Sequence, residues 1–138
     1  MPTDVANRLR QQVAERAEHR CEYCLLPEAF AYHKHKVDHI IPTQHGGETE
    51  EANLAFACMR CNRHKGPNVG SFDPETGELV PFFNPRQHRW SSHFMLEEAV
   101  LQPLTAEARV TVKILDINNS ERLTERRRLL RIGLYQSR

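Results

Sequence analysis

The chain has 138 residues, 39% of them hydrophobic, with 19 Lys and Arg against 18 Asp and Glu for a net charge of +1. That length suits one domain with a modest core, and so even a balance exerts no overall pull toward nucleic acid. No apolar run approaches the roughly 20 residues of a membrane span, and the N-terminus lacks the pattern of a signal peptide. A soluble, cytoplasmic protein is expected. In that setting four cysteines spaced as two Cys-x-x-Cys pairs bind metal, with a secreted disulfide scaffold as the alternative.

In chain order, residues 3–17 predict an amphipathic helix. Val5, Leu9, Val13 and Ala17 recur every four residues as one apolar stripe, with Thr3 as N-cap and Asp4 at the positive end of the dipole. Arg8, Arg10 and Arg16 read as its solvated face. Cys21-Glu-Tyr-Cys24 predicts a tight turn aiming two thiolates at one point, followed by a loop over 25–32. From 33 to 41 the period becomes two, which predicts a strand ended by Pro42. His33, His35, Val37, His39 and Ile41 take one face, and Lys34, Lys36, Asp38 and Ile40 the other. Gln44-His-Gly-Gly47 is a loop, 49–52 a single helical turn and 54–57 a second short strand. Residues 58–65 read as a knuckle opening a helix, closed by Gly66-Pro67.

Beyond Gly66, residues 72–80 have the turn chemistry of a β-hairpin, and 95–101 read as one strand. Thr105 caps a helix running to about 117, and Asn119 or Ser120 caps another running to about 133. In the last helix Leu123, Leu130 and Leu134 form the stripe, surrounded by Arg122, Arg126, Arg127, Arg128 and Arg131. Residues 86–138 hold ten Lys or Arg against six Asp or Glu, whereas 21–65 hold five against six. The expected fold is α+β in a single domain: a bracing N-terminal helix (1–20), a small two-strand-and-helix core (21–66), and a β-hairpin with C-terminal helices (67–138).

Cys21, Cys24, Cys58 and Cys61 can close a tetrahedral shell around zinc with no open position, which makes that site structural. It would tie the turn before the first strand to the turn after the second. A mixed finger of Cys21, Cys24, His33 and His35 is an alternative that orphans the second pair. Between the pairs, Asp38 offers a carboxylate oxygen and Asn62 an amide oxygen, the hard donors of Mg²⁺. Two protein ligands leave positions for water and a substrate phosphate, as a hydrolytic metal requires. His39 can take a proton from an attacking water near neutral pH.

The set Cys21-x-x-Cys24, Asp38-His-Ile-Ile-Pro42, Gly46-Gly47, Asn53-Leu54 and Cys58-x-x-Cys61-Asn62-x-x-Lys65-Gly66 resembles the HNH (His-Asn-His, ββα-metal) endonuclease family in its zinc-stapled branch. The resemblance implies an endonuclease that hydrolyses DNA, most naturally double-stranded, using a structural Zn²⁺ and a catalytic Mg²⁺ or Mn²⁺. It implies His39 as general base and Asp38 and Asn62 as ligands of the catalytic ion. Asn53 would orient the loop through backbone hydrogen bonds, and the chain would be a His-Asn-Asn variant. His64 is a secondary candidate for ligand or phosphate contact, and Lys65, Arg63 and Arg60 are candidate phosphate contacts. Phe83-Asn-Pro-Arg86, Trp90 and His93-Phe94 look like a segment that follows the core in some bacterial HNH proteins. There Arg86 is a candidate to neutralise the scissile phosphate, and the competing reading is a packing segment whose Trp90 and Phe94 cover the core.

A non-catalytic zinc-knuckle module, gripping nucleic acid or protein, is the alternative function. It accounts for the cysteines and for an Arg-rich last helix that docks a protein partner. It leaves the co-occurrence of Asp38, His39, Asn53 and Asn62 without a reason.

Overall fold

Helix α1 (Asn7–Arg16) is the first element of the computed structural model, which describes residues 5–138. It starts later than its periodicity predicts, with Ala6 at the N-cap making no side-chain bond; Thr3 and Asp4 lie outside the described residues. The stripe behaves as its spacing implies. Val5, Val13 and Ala17 are buried with Leu9 packed beside them, against Leu54 and Phe56. Arg16 is exposed, as a solvated face implies, yet its two terminal nitrogens also donate to the carbonyls of Glu51 at 3.0 Å and Leu54 at 2.7 Å. The brace is therefore bolted to the sheet as well as packed on it.

Strands β1 (Lys36–His39) and β2 (Leu54–Ala57) pair antiparallel, with Asp38 opposite Ala55 and His39 opposite Leu54. All four residues of β2 are buried, and their alternation divides them between two cores. Leu54 and Phe56 face α1, while Ala55 and Ala57 face the main core. Helix α2 (Met59–Lys65) follows directly. Cys58 is its N-cap, and Gly66, at φ +52°, closes it in the left-handed region that favours glycine.

Strands β3 (Gly70–Phe72) and β4 (Leu79–Pro81) form the expected hairpin. A Cβ on Gly70 would stand 2.4 Å from the Val80 carbonyl oxygen, so only glycine fits that register. A short helix α3 (Trp90–His93) leads into β5 (Phe94–Glu97) and β6 (Val100–Pro103). Here the expectation of one strand over 95–101 is corrected. Glu98 turns through φ +55° and the run folds into a hairpin, because Glu97-Glu98 interrupts the apolar residues at its centre. Helix α4 (Ala106–Ile114) is capped by the Thr105 hydroxyl, and α5 (Ser120–Arg131) by the Asn119 side chain. Asp116, at φ +54°, ends the α4 segment before residue 117.

The main core takes its residues from Cys21 to Tyr135, so the cysteine turns, the hairpins and the last two helices share one interior. Among the described residues no helix is long and apolar enough to cross a membrane.

Candidate metal centre and hydrolytic site

The turn at Cys21 and the N-terminus of α2 bring four sulfurs together. All four cysteines are buried and reduced, and their Sγ atoms lie within 4.8 Å of one another. Cys24 Sγ and Cys58 Sγ are 3.7 Å apart, close to the ~3.8 Å that a tetrahedral ion with Zn–S bonds of about 2.3 Å requires. Each pair is pre-set by its own backbone: Cys24 N donates to Cys21 Sγ and Cys61 N to Cys58 Sγ, both at 3.4 Å. Hydrogen bonds from Cys21, Cys58 and Cys61 pull the Cys24 thiol well below its ordinary pKa. This donor set fits a structural zinc ion.

A buried guanidinium serves the same cluster. Arg122, 3% exposed, donates from Nη2 to Cys61 Sγ at 2.9 Å and lies 3.7 Å from Cys58 Sγ. Its Nη1 donates to the Leu115 and Asp116 carbonyls. Burial by itself lowers the Arg122 pKa, but Cys61, Cys24 and Cys58 together carry it above its ordinary value, so it stays charged. Arg126 is likewise buried, donating to the Ala99 and Ile117 carbonyls. The expected arrangement of α5 is thus corrected. Its inward face is Arg122, Arg126 and Leu129, whereas Leu134 is exposed. Two of the arginines assigned to a docking surface are structural.

Asp38 is buried at the centre of β1. Its Oδ2 accepts from Tyr23 Oη at 2.9 Å, and its Oδ1 from Lys65 Nζ at 3.3 Å and Asn62 Nδ2 at 3.4 Å. Burial pushes the Asp38 carboxyl above its ordinary pKa, against the pull of Lys65 and the Tyr23 hydrogen bond. Burial, then the neighbouring Asp38, holds the Tyr23 hydroxyl well above its own, so Tyr23 remains a donor. Asp38 and Asn62 thus face one another across β1 and α2 with hard oxygen chemistry. Rotating the Asn62 amide would present its oxygen in place of its nitrogen.

Lys65 is 1% exposed. Its three protons are spent on Asp38 Oδ1, the His39 carbonyl at 3.0 Å and the Ile40 carbonyl at 3.2 Å. The expectation that Lys65 contacts substrate phosphate is corrected, since its ammonium has no path to solvent. Arg86 is corrected on similar grounds. Its guanidinium pairs with Glu22, whose other oxygen accepts from Phe56 N at 2.9 Å. Trp90 Nε1 donates to the Tyr23 carbonyl at 2.9 Å. The segment after the hairpin therefore braces the first cysteine turn and does not reach toward substrate. Arg63 and His64 are exposed, and Arg60 is half-buried.

His39 is half-buried, with Nε2 2.9 Å from Thr49 Oγ1. Its ring makes no hydrogen bond to Asp38 or Asn62, so His39 and the Asp38–Asn62 pair stand as separate units, with His39 next to Asp38 on β1. Asn53 ties the connecting loop: Oδ1 accepts from Ile41 N at 2.9 Å, and Nδ2 donates to the Ile41 and Glu48 carbonyls at 3.0 and 2.8 Å. Gly47 completes the closure, because a Cβ there would fall 1.7 Å from the Ile41 carbonyl oxygen. Tyr23, Thr49, Glu22 and Arg122 are participants that the sequence reading passes over. Tyr23 and Glu22 carried a signal by lying inside the cysteine turn, and Arg122 by its spacing to Arg126 and Leu129 in α5.

Fold and site together define a small α+β protein whose two-stranded ribbon and helix are clamped by a four-cysteine cluster that fits a metal ion. Residues 21–68 match the family model described as HNH endonuclease. The match stops before the hairpin β3–β4 and everything that follows. No curated protein and no solved structure matches the chain.

Proposed function

We propose that the protein is a metal-dependent endonuclease that hydrolyses phosphodiester bonds in DNA. The observation that carries this reading is the pairing of the Asp38 carboxylate and the Asn62 amide, 3.4 Å apart, beside His39 within the matched segment. Asp38 and Asn62 would hold a divalent ion such as Mg²⁺, their oxygens being the donors it prefers. When bound, such an ion supplies charge stabilisation to the phosphoryl group and its leaving oxygen. His39 removes the proton of the attacking water. With Nε2–H donating to Thr49 Oγ1, Nδ1 carries the lone pair that receives it. Asn53 sets the loop bearing Thr49, and the four-cysteine centre fixes the helix bearing Asn62.

The direct test incubates supercoiled plasmid with Mg²⁺ or Mn²⁺, comparing the wild type with His39→Ala. Nicked or linear product from the wild type alone supports the reading. Equal cleavage by both proteins removes His39 from the chemistry. No cleavage by either, with zinc still bound, favours the non-catalytic zinc module, which the cysteine cluster equally suits.

A further inference from the structure

A cavity of about 360 Å³ opens between α2 and α5, outside the proposed hydrolytic site. That is near the lower end of the roughly 300–1,000 Å³ usual for ligand sites. Arg60 and Arg63 of α2, Glu125 of α5 and Tyr32 of the preceding loop line it. Arg122 and Arg126 also reach its wall, but the cysteine sulfurs and backbone carbonyls already occupy them. The cations left to act are Arg60 and Arg63. Among the described residues Arg63 makes no hydrogen bond or ion pair. Arg60 has only a 3.6 Å contact with Glu121, whose side chain is 82% exposed, so a stronger anion displaces it at little cost.

Tyr32 is the unusual wall. It is 97% exposed, although an aromatic ring ordinarily finds a packing partner. Its loop is nevertheless held firmly. Ala31 N donates to the Glu28 carbonyl at 3.1 Å, His35 N to Glu28 Oε2 at 3.0 Å, and the His35 ring contacts the Leu26 carbonyl at 2.8 Å. A ring held out of the fold on a pinned loop, beside two available guanidinium groups, has the make-up of a stacking platform with phosphate contacts. Arg63 follows Asn62 by one position, about 100° around α2.

We infer that the groove binds an unpaired nucleotide of the nucleic-acid strand, its base stacked on Tyr32 and its phosphate held by Arg60 and Arg63. The inference rests on the reading of the chain as a nucleic-acid hydrolase and adds to it a grip on single-stranded substrate outside the cleavage centre. Helix α5, which lies beyond the matched segment, supplies one wall of the groove.

The test measures anisotropy of a labelled single-stranded oligothymidylate with no divalent ion added, with a duplex of equal length in parallel. Tyr32→Ala is expected to weaken single-strand binding about tenfold and to leave duplex binding unchanged. The pair Arg60→Gln and Arg63→Gln is expected to lower the salt slope by roughly 0.7 for each arginine removed. Unchanged single-strand affinity in Tyr32→Ala overturns the site, and so does an equal loss for duplex. Thymidine 5′-monophosphate competing as well as the oligonucleotide makes it a free-nucleotide pocket and overturns the strand assignment. Hydrolysis of bis(p-nitrophenyl) phosphate, a substrate too small to span the groove, separates the two readings. Tyr32→Ala should match the wild type there. Absence of any hydrolysis beside Tyr32-dependent binding sinks the hydrolase and leaves the groove.

Discussion

Arg122 Nη2 donates to Cys61 Sγ at 2.9 Å, across 61 positions of sequence. Four thiolates around a Zn²⁺ ion, which the cysteine cluster fits, would carry a net charge of −2, and a buried anion needs a partner. Arg122 supplies it and ties α5 to the knuckle. Replacing it with Leu should cost about 1.5–3 kcal/mol from the lost charged hydrogen bonds. Zinc should also pass faster to a chromogenic chelator. Arg122→Lys keeps the charge without the fork and should fall between the two. A Leu variant that releases zinc at the wild-type rate would show the guanidinium to be mere packing.

Lys65 and Asp38 form a buried ion pair at 3.3 Å. Lys65→Met leaves the carboxylate alone in the interior, which should destabilise the fold by about 3–5 kcal/mol. Urea unfolding monitored at Trp90 reads this directly. A variant of a solvated phosphate contact would lose nucleic-acid affinity and keep its stability, the opposite signature.

Thr49 has no role in packing a core, yet its hydroxyl sits 2.9 Å from His39 Nε2. Thr49→Val should lower the cleavage rate by roughly tenfold or more by releasing the imidazole, with zinc content and thermal midpoint unchanged. Thr49→Ser restores the hydroxyl and should restore most of the rate. Failure of that rescue would assign Thr49 to the loop alone.

Asn53→Ala removes the bonds to the amide and carbonyl of Ile41 and to the Glu48 carbonyl, which are exposed, at about 0.5–1.5 kcal/mol each. Gly47→Ala forces the same loop apart by contact with the Ile41 carbonyl. Both should reduce turnover without loss of zinc, and hydrogen exchange should localise the opening to 41–53. An opening that spread to the cysteine turns would join loop and metal centre in one unit.

The hairpin β3–β4 is held to α4 by a two-pronged ion pair, Arg109 Nε and Nη2 each donating to Asp73 at 2.8 Å. That pairing holds the Asp73 carboxyl well below the usual carboxylate range. A pKa depressed by folding contributes stability above the unfolded value, about 3.9, and the contribution is lost as pH falls below it. Asp73→Asn should therefore be less stable than the wild type at pH 7, the difference closing toward pH 2. A gap independent of pH would point to packing as the cause.

Local chemistry made much of this molecule readable in the sequence. The Cys-x-x-Cys spacing, the short strand at Leu54, the helix from Cys58 and the caps at Thr105 and Asn119 all depend on neighbours a few residues away. Charged residues were misjudged wherever their partners are distant. Arg86 meets Glu22 across 64 positions and Arg122 meets Cys61 across 61, and no window around either residue contains the other. One signal was available in α5. Arg122, Arg126 and Leu129 share a face at spacings of four and three, but Leu123 and Leu130 drew attention to another.

Tyr135 Oη donates to the Cys24 carbonyl at 2.6 Å, spanning 111 positions. The knuckle that opens the matched segment is thus finished by a residue more than a hundred positions further along the chain. During synthesis the four thiols emerge long before their counter-charge and this last donor, so metal capture can precede docking of the terminal helix. A fragment cut at residue 68 would carry every cysteine. It would also leave two sulfurs and a buried carbonyl without the donors that complete them, so the limit of the family match falls inside the folding unit rather than at its edge.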